Sequence, residues 1–174
     1  MKKKIWYLAY MIFAQWLPVS WQFRPSKAIR GFFARRVLQS AGNNINIERG
    51  ASFATDVCIG NNSAIGINCR IQWGGVKIGD NVLMGPDILI YTTNHESSNT
   101  DIPICKQGNS LPKPVIIEDD VWIGARVIIL PGVTVRRGCI IGAGTVLTKT
   151  FPEYSIIAGN PGRVVKRRKN EIEE

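Results

Sequence analysis

Apolar residues recur along this chain with two different periods, and the change falls near residue 45. From Ile47 onward, large apolar residues stand six apart at Ile47, Phe53, Ile59, Ile65 and Ile71. After one extra residue the series resumes at Ile78, Met84 and Ile90, and it returns at Ile117, Ile123, Ile129, Val135, Ile141 and Leu147. Four positions after most of these comes a smaller residue: Ala51, Val57, Ser63, Cys69, Gly75, Val82, Val121, Val127, Val133, Cys139 or Thr145. Six steps of about 100° do not return to one helical face, so the repeat excludes an amphipathic helix and predicts short strands of a coil. In such a coil each leading apolar residue points inward, the residue four later packs beside the corner, and Gly or Asn takes the turn. Stacked coils then bury one continuous aliphatic column, with stability coming from neighbour contacts.

Before residue 45 the pattern is helical. Residues 2–17, KKKIWYLAYMIFAQWL, join a basic start to an apolar run, and Ser26 to Gln39 carries Ile29, Phe32, Phe33, Arg36 and Val37 at helical spacing, with Ser26 as the expected N-cap. Gly42, Asn43 and Asn44 end that segment, which predicts a helical hairpin kept apart from the coil. The N-terminal run imitates a signal peptide but lacks a small-x-small cleavage site, and the apolar stretch from Ile5 to Leu17 is short of the ~20 residues that a spanning helix needs. Its basic and aromatic composition suits a membrane interface, or packing on a neighbouring subunit. The expected organisation is a helical extension over 1–44, a coil domain over 45–165 and a basic tail over 166–174.

The repeat breaks once, between Ile90 and Ile117, a gap of twenty-seven residues where six would continue the coil. The insert, a loop over 91–114, is polar and contains His95, the single histidine of the chain. Long loops leaving a rigid scaffold usually carry function, and an imidazole is the side chain best suited to move a proton near neutral pH. This loop is the expected seat of the chemistry.

Composition narrows the reading. Gly is frequent, at 17 of 174 residues, and only 20% of residues are charged, as a turn-rich β protein requires. The net charge of +9 is concentrated before Glu48 and again at Arg163, Lys166, Arg167, Arg168 and Lys169. Such clusters attract phosphates, but no groove-reading element or stacking surface accompanies them, so nucleic acid is not the expected partner. Cys58, Cys69, Cys105 and Cys139 have no C-x-x-C spacing, which argues against zinc and redox motifs and for reduced thiols in a reducing compartment.

The stretch PVIIEDDVWIGARVIILPGVTVRRGCIIGAGTVLTKTFPEYSIIAGNPGRVVKR, residues 114–168, carries VWIGA, LPGV, IGAGTVLTK and AGNPGRVVK segments in order. With the coils before it, residues 47–168 resemble the hexapeptide-repeat acetyltransferases, which include maltose, galactoside, serine and polysaccharide O-acetyltransferases. The resemblance implies a left-handed parallel β-helix, a homotrimer with active sites between subunits, and acetyl-coenzyme A as co-substrate without a metal. It places His95 on the general base of the extended loop. It also places Trp122 and Ala125 along the pantetheine arm, Ala143, Thr148 and Lys149 at further cofactor contacts, and Arg163 and Lys166 near the phosphates. Asn94, next to His95, is the expected substrate-binding side chain and a donor for the oxyanion that develops on the thioester carbonyl, a role that a backbone N–H can also fill. Basic side chains at a coil end are chemically apt for the pyrophosphate and 3′-phosphate of coenzyme A.

Two departures bear on the acceptor. Gly66 stands where sugar-acetylating members align an acceptor-binding Asn, and the N-terminus, aromatic and basic, looks more like the polysaccharide-modifying branch with lipid-linked acceptors. The resulting expectation is acetyl transfer to a hydroxyl of a sugar or polysaccharide precursor, in the cytoplasm, with peripheral contact to the inner face of the membrane. The rival is a non-catalytic β-helix scaffold that binds membrane or partners through the basic hairpin. It does not explain a His95 loop together with cofactor-like C-terminal coils. A β-helical metal enzyme needs several His ligands, and one His per chain does not supply them.

Overall fold

The computed structural model describes residues 2–168, and the tail residues from Lys169 onward lie outside the described residues. Two helices, α1 (Lys2–Phe13) and α2 (Pro25–Val37), precede a stack of short strands. The first coil is β1 (Ser40–Ala41), β2 (Asn46–Ile47) and β3 (Ser52–Phe53), and the second is β4 (Cys58–Ile59), β5 (Ala64–Ile65) and β6 (Arg70–Ile71). The third is β7 (Val76–Ile78), β8 (Leu83–Met84) and β9 (Leu89–Ile90); the fourth is β10 (Val115–Ile117), β11 (Trp122–Ile123) and β12 (Ile128–Ile129). The fifth is β13 (Thr134–Val135), β14 (Ile140–Ile141) and β15 (Val146–Leu147), after which β16 (Ser155–Ala158) and β17 (Arg163–Arg167) close the stack.

Each strand pairs in parallel with the one a coil away, giving three sheets around a narrow prism. The first face stacks β1, β4, β7, β10 and β13, and the third stacks β3, β6, β9, β12 and β15. The second face runs from β2 and β5 through β8, β11, β14 and β16, bridged by the Ala64 amide donating to Val82 O at 2.9 Å. Here β17 turns back antiparallel to β16. The coil therefore begins at Ser40, a few residues inside the segment read as helical.

The leading residues of the repeat line the prism as the period demands, with Ile47, Ile65, Ile117, Ile123, Ile129 and Ile141 among the most deeply buried side chains. In the small-residue column Val76, not Gly75, is the buried member. The extra residue of the repeat is absorbed in the turn Trp73-Gly74-Gly75, where both glycines have positive φ, +117° and +87°. At Asn44, Asn62, Asn68 and Asn81 an asparagine supplies the left-handed turn residue, and three of these link successive coils: Asn44 Nδ2 donates to Asn62 Oδ1 at 3.0 Å, and Asn62 Nδ2 to Asn81 Oδ1 at 3.2 Å. A second glycine series, including Gly60, Gly66, Gly85 and Gly124, serves close approach instead. A Cβ on Gly85 would lie 2.7 Å from the Ala125 amide nitrogen.

The helices are not kept apart. Tyr10, Ala14, Ala34 and Val37 are buried in the same core as the first coils, and the Tyr10 hydroxyl donates to Ala51 O at 2.8 Å. The pair is a lid on the open end of the prism, where Ile47 and Phe53 would otherwise meet water. α2 begins at Pro25 after Arg24, and Ser26 is not its N-cap: its hydroxyl is buried with no hydrogen-bond partner among the described residues. The inward face of α2 is Ser26, Arg30, Ala34 and Val37, leaving Ile29 and Phe32 exposed. That rotation follows from Arg30, whose guanidinium enters the interior to meet Glu48 and the carbonyls of Ile47, Leu17 and Pro18.

Candidate functional site

The loop 91–114 leaves the corner between the third and first faces and is tied down at three levels. At its root the Tyr91 amide donates to Ile129 O at 2.9 Å, which keeps the coil ladder intact. One residue on, Thr92 is buried, its amide donates to Gln72 Oε1 at 3.0 Å, and its hydroxyl donates to Trp73 O. The returning strand joins there, with the Lys113 amide on Thr92 O at 2.7 Å. Above the root, the Ser110 amide donates to Asn94 O at 2.8 Å, His95 pairs antiparallel with Asn109, and the Glu96 amide donates to Gly108 O at 3.0 Å. The tip is held by Gln107, whose Nε2 donates to Asn99 O and Ile102 O, both at 2.7 Å. His95 and Asn94 are exposed side chains on a hydrogen-bonded hairpin, not on a slack insertion.

Sequence reasoning missed what positions this loop. Asp56 Oδ2 accepts from the amides of Gly74 and Gly75 at 2.7 and 3.0 Å, fixing the turn whose Trp73 carbonyl receives Thr92. Gln72, Asp56 and the two glycines are thus the foundation of the hairpin. Their signal in the sequence is the seven-residue step from Ile71 to Ile78, the one place before the loop where the period slips.

The remaining candidates fall on two other regions. On the second face, exposed Leu83, Trp122 and half-buried Ile140 and Ile156 stand in register, and Lys166 of β17 is paired with Ile156. Trp122 is 55% exposed, so it is not a packed corner residue of the single chain. At the adjoining corner, between the second and third faces, Gly85, Ala125 and Ala143 stack: a Cβ on Gly124 would meet the Ala143 amide nitrogen at 2.7 Å, and the Gly144 amide donates to Ala125 O at 2.8 Å. Arg163 is paired with Ala158 at the top of this corner and is exposed. Trp122, Ala125, Ala143, Arg163 and Lys166 therefore form one contiguous surface, apolar below and cationic above.

Thr148 and Lys149 do not join it. They follow β15 at the same corner as the His95 loop, where the Lys149 ammonium sits 5.6 Å from the Phe151 ring. Within one chain, the hairpin corner carries His95, Asn94, Thr148 and Lys149, and the glycine corner with the adjoining second face carries the rest. Arg168, by contrast, is already engaged, with Nη1 on Asp120 Oδ2 at 2.9 Å and on Gly138 O at 3.0 Å. Among the described residues no group of three or more His, Cys, Asp or Glu is placed to hold a metal ion.

Residues 56–85 and 114–149 match the family described as hexapeptide repeat of succinyl-transferase. Over nearly its whole length the fold superposes on a maltose O-acetyltransferase from Clostridium difficile 630, with a TM-score of 0.79, 30% identity, and coverage of 97% of this chain and 87% of that one. The chain belongs to the hexapeptide-repeat acetyltransferases. A galactoside acetyltransferase solved in complex with coenzyme A gives the same TM-score, 0.79, at 28% identity, covering 95% of this chain and 78% of that one. The galactoside O-acetyltransferase of Escherichia coli K12 is 36% identical over 116 residues, 66% of this chain and 56% of that protein. Other curated relatives are longer still, and the chain spans 45% and 40% of two of them, from Schizosaccharomyces pombe and Mycobacterium tuberculosis.

Proposed function

We propose that this member of the family transfers an acetyl group from acetyl-coenzyme A to a hydroxyl of a sugar or polysaccharide precursor, with His95 as general base. The observation that carries the reading is the placement of the chain's single imidazole on a hairpin braced by Gln72, Thr92 and Ser110. The residues present also suit the co-substrate. Arg163 and Lys166 offer cations to phosphates, Trp122 with Leu83 offers an apolar strip to the pantetheine arm, and Ala125 and Ala143 lie at the corner where Gly85 and Gly124 let the coils approach closely. In the reaction the imidazole removes the proton of the acceptor hydroxyl as its oxygen attacks the thioester carbonyl. The carbon–sulfur bond then breaks, and the imidazolium returns the proton to the departing thiolate.

Because the hairpin corner and the glycine corner are separate edges of one prism, a complete site is best built between neighbouring copies, as in a homotrimer. Asn94 beside His95 is the side chain available as a donor to the acceptor or to the developing oxyanion. The test is thiol release by His95→Ala with acetyl-coenzyme A and a panel of sugar acceptors. A general base accounts for about 100- to 10,000-fold in turnover, with cofactor affinity nearly unchanged. Near-normal turnover in the variant removes His95 from the mechanism.

A further inference from the structure

The helical lid uses up several of the groups that the sequence offers to a membrane and leaves a different set exposed. Tyr10 is buried, Trp6 and Tyr7 are half-buried against the core, and Lys3 donates to Leu38 O at 3.0 Å and Thr55 O at 3.1 Å. Beyond the exposed Lys2, Lys3 and Lys4 at its start, what α1 and the following link turn to solvent is largely apolar: Ile5, Leu8, Ile12, Phe13, Trp16 and Trp21, the last two 62% and 69% exposed. Ile5, Leu8 and Ile12 recur at helical spacing, so they form one stripe away from the core. No partner within the described residues covers it.

Beside this stripe lies a cationic groove of about 470 Å³ between α2 and the first coil, lined by Arg24, Lys27, Phe32, Arg35, Arg36 and Asn44 among others. Its floor is open at Gly31, where an added Cβ would meet nothing within 4 Å. Phe32 joins the two features, since it lines the groove and packs edge-on to Trp6 at 6.1 Å between ring centres. None of the four cations of the groove is in an ion pair among the described residues. Before Glu48 the chain has no acidic residue, Glu48 itself is buried on Arg30, and no carboxylate lines the groove.

We propose that this outer surface of the lid docks on anionic phospholipid, with the groove of Arg24, Lys27, Arg35 and Arg36 seating a phosphate headgroup and the Ile5, Leu8, Ile12, Phe13, Trp16 and Trp21 stripe entering the acyl boundary. Apolar side chains next to cations that meet only neutral partners, Lys27 on Asn44, Arg35 on Gly42 O and Arg36 on Phe32, with no carboxylate lining the groove, match the two layers of a lipid surface in chemistry and order. Tryptophans at the end of the stripe suit the headgroup level. No described helix is long and apolar enough to cross a membrane, so the contact is peripheral. The inference stands apart from acetyl transfer, because it concerns the opposite end of the prism from Arg163 and its readout needs no acceptor.

The experiment is flotation of the full chain with vesicles of neutral phosphatidylcholine and with vesicles containing anionic phosphatidylglycerol. Arg24→Glu/Lys27→Glu and Phe13→Ser/Trp16→Ser accompany the wild type, and the oligomer mass of each is measured by light scattering. Wild type floats with the anionic vesicles alone and is released by high salt. Each cation near the surface contributes about fivefold to partition, so the charge-reversal pair lowers it by well over tenfold, and the serine pair lowers it with the oligomer mass unchanged. Equal flotation with neutral vesicles overturns the headgroup assignment. Absence of flotation with both compositions overturns the proposal altogether. If the serine pair changes the oligomer mass while wild type remains unbound, the stripe is a contact between copies of the chain.

Discussion

Arg30 Nη2 lies 3.2 Å from Glu48 Oε2 in an ion pair closed to solvent, and this pair locks the helical lid to the first coil. The same guanidinium donates to Leu17 O and Pro18 O in the link between the helices and to Ser20 Oγ, so one side chain gathers α2, the link and the coil. Burial pulls the Arg30 pKa below its ordinary value, and Glu48 and then Tyr10 oppose that shift. Removing either partner strands the other charge in a dry environment. Arg30→Ala is therefore expected to cost about 3–5 kcal/mol, and Glu48→Gln a similar order. Denaturant titration followed by tryptophan fluorescence, with Trp6 and Trp16 in the lid, checks this. A loss under about 1 kcal/mol in both variants means the lid is held by its apolar contacts alone.

The close-approach glycines give a second expectation. At Gly60 an added Cβ would lie 2.6 Å from the Gly79 carbonyl carbon, and at Gly85 it would lie 2.7 Å from the Ala125 nitrogen. Both obstacles are backbone, which cannot rotate away as a side chain can. Gly60→Ala and Gly85→Ala should each destabilise by about 1–3 kcal/mol through overpacking, whereas Gly108→Ala, with nothing within 4 Å but a positive φ of 82°, should cost less. Equal losses at all three positions in thermal unfolding would contradict the division between packed corners and an open loop.

The coil was legible because its two constraints, inward aliphatics and left-handed turns, both act at a fixed period: Ile117, Ile123 and Ile129 meet the first, and Asp120, Arg126 and Gly132, three residues after each, meet the second. The break at residues 91–114 was legible for the same reason, as the longest departure from that period. What joins distant positions was not. Gln72 meets Thr92 across twenty residues, and a polar side chain at the end of a strand carries no mark of that partner. Arg30 reads as a solvent-facing residue in any helical pattern, since only the position of Glu48 in the folded coil makes an inward arginine tolerable. Likewise, periodicity could not reveal that Lys149 and Arg163 stand on different corners, because that depends on where the final turn after β15 and the reversal at β17 fall.

Stability should also fall at alkaline pH through a buried thiol. Burial in the second coil pushes the Cys69 thiol from its ordinary 9.0 up to about 11, against hydrogen bonds that favour the thiolate. The folded chain then holds its proton where the unfolded chain has released it. This contribution is fully present below pH 9 and is lost as pH rises from about 9 to 11, amounting to about 3 kcal/mol. Cys69→Val fits a column occupied by Val57, Val82 and Val121 and cannot ionise, so it should flatten that limb. Tyr10, also raised by burial, adds its own loss at still higher pH in both proteins. Unfolding free energies at pH 8 and pH 10.5 decide the matter: an identical drop in the two proteins would clear Cys69 of any part in it.

The proposed cofactor site leads to the last expectation, which concerns two cations that the fold sets apart. Arg163 crowns the glycine corner beside Ala158, and Lys149 belongs to the hairpin corner near Phe151. If the co-substrate lies between copies, both corners touch it, one from each copy. Arg163→Ala and Lys149→Ala should then each weaken coenzyme A about tenfold or more, as charge-assisted contacts do. The loss should shrink as salt rises, because exposed cations are screened. Neither substitution should alter the fold, since among the described residues the Arg163 side chain donates only to Gly162 O and the Lys149 ammonium faces only an aromatic ring. Calorimetric titration with coenzyme A, beside light scattering of the same samples, tests both parts. A trimer mass with both affinities reduced fits a site shared between copies. A trimer in which only Arg163→Ala weakens binding confines the site to the glycine corner and its face, and a monomer with wild-type affinity in either variant removes the shared site.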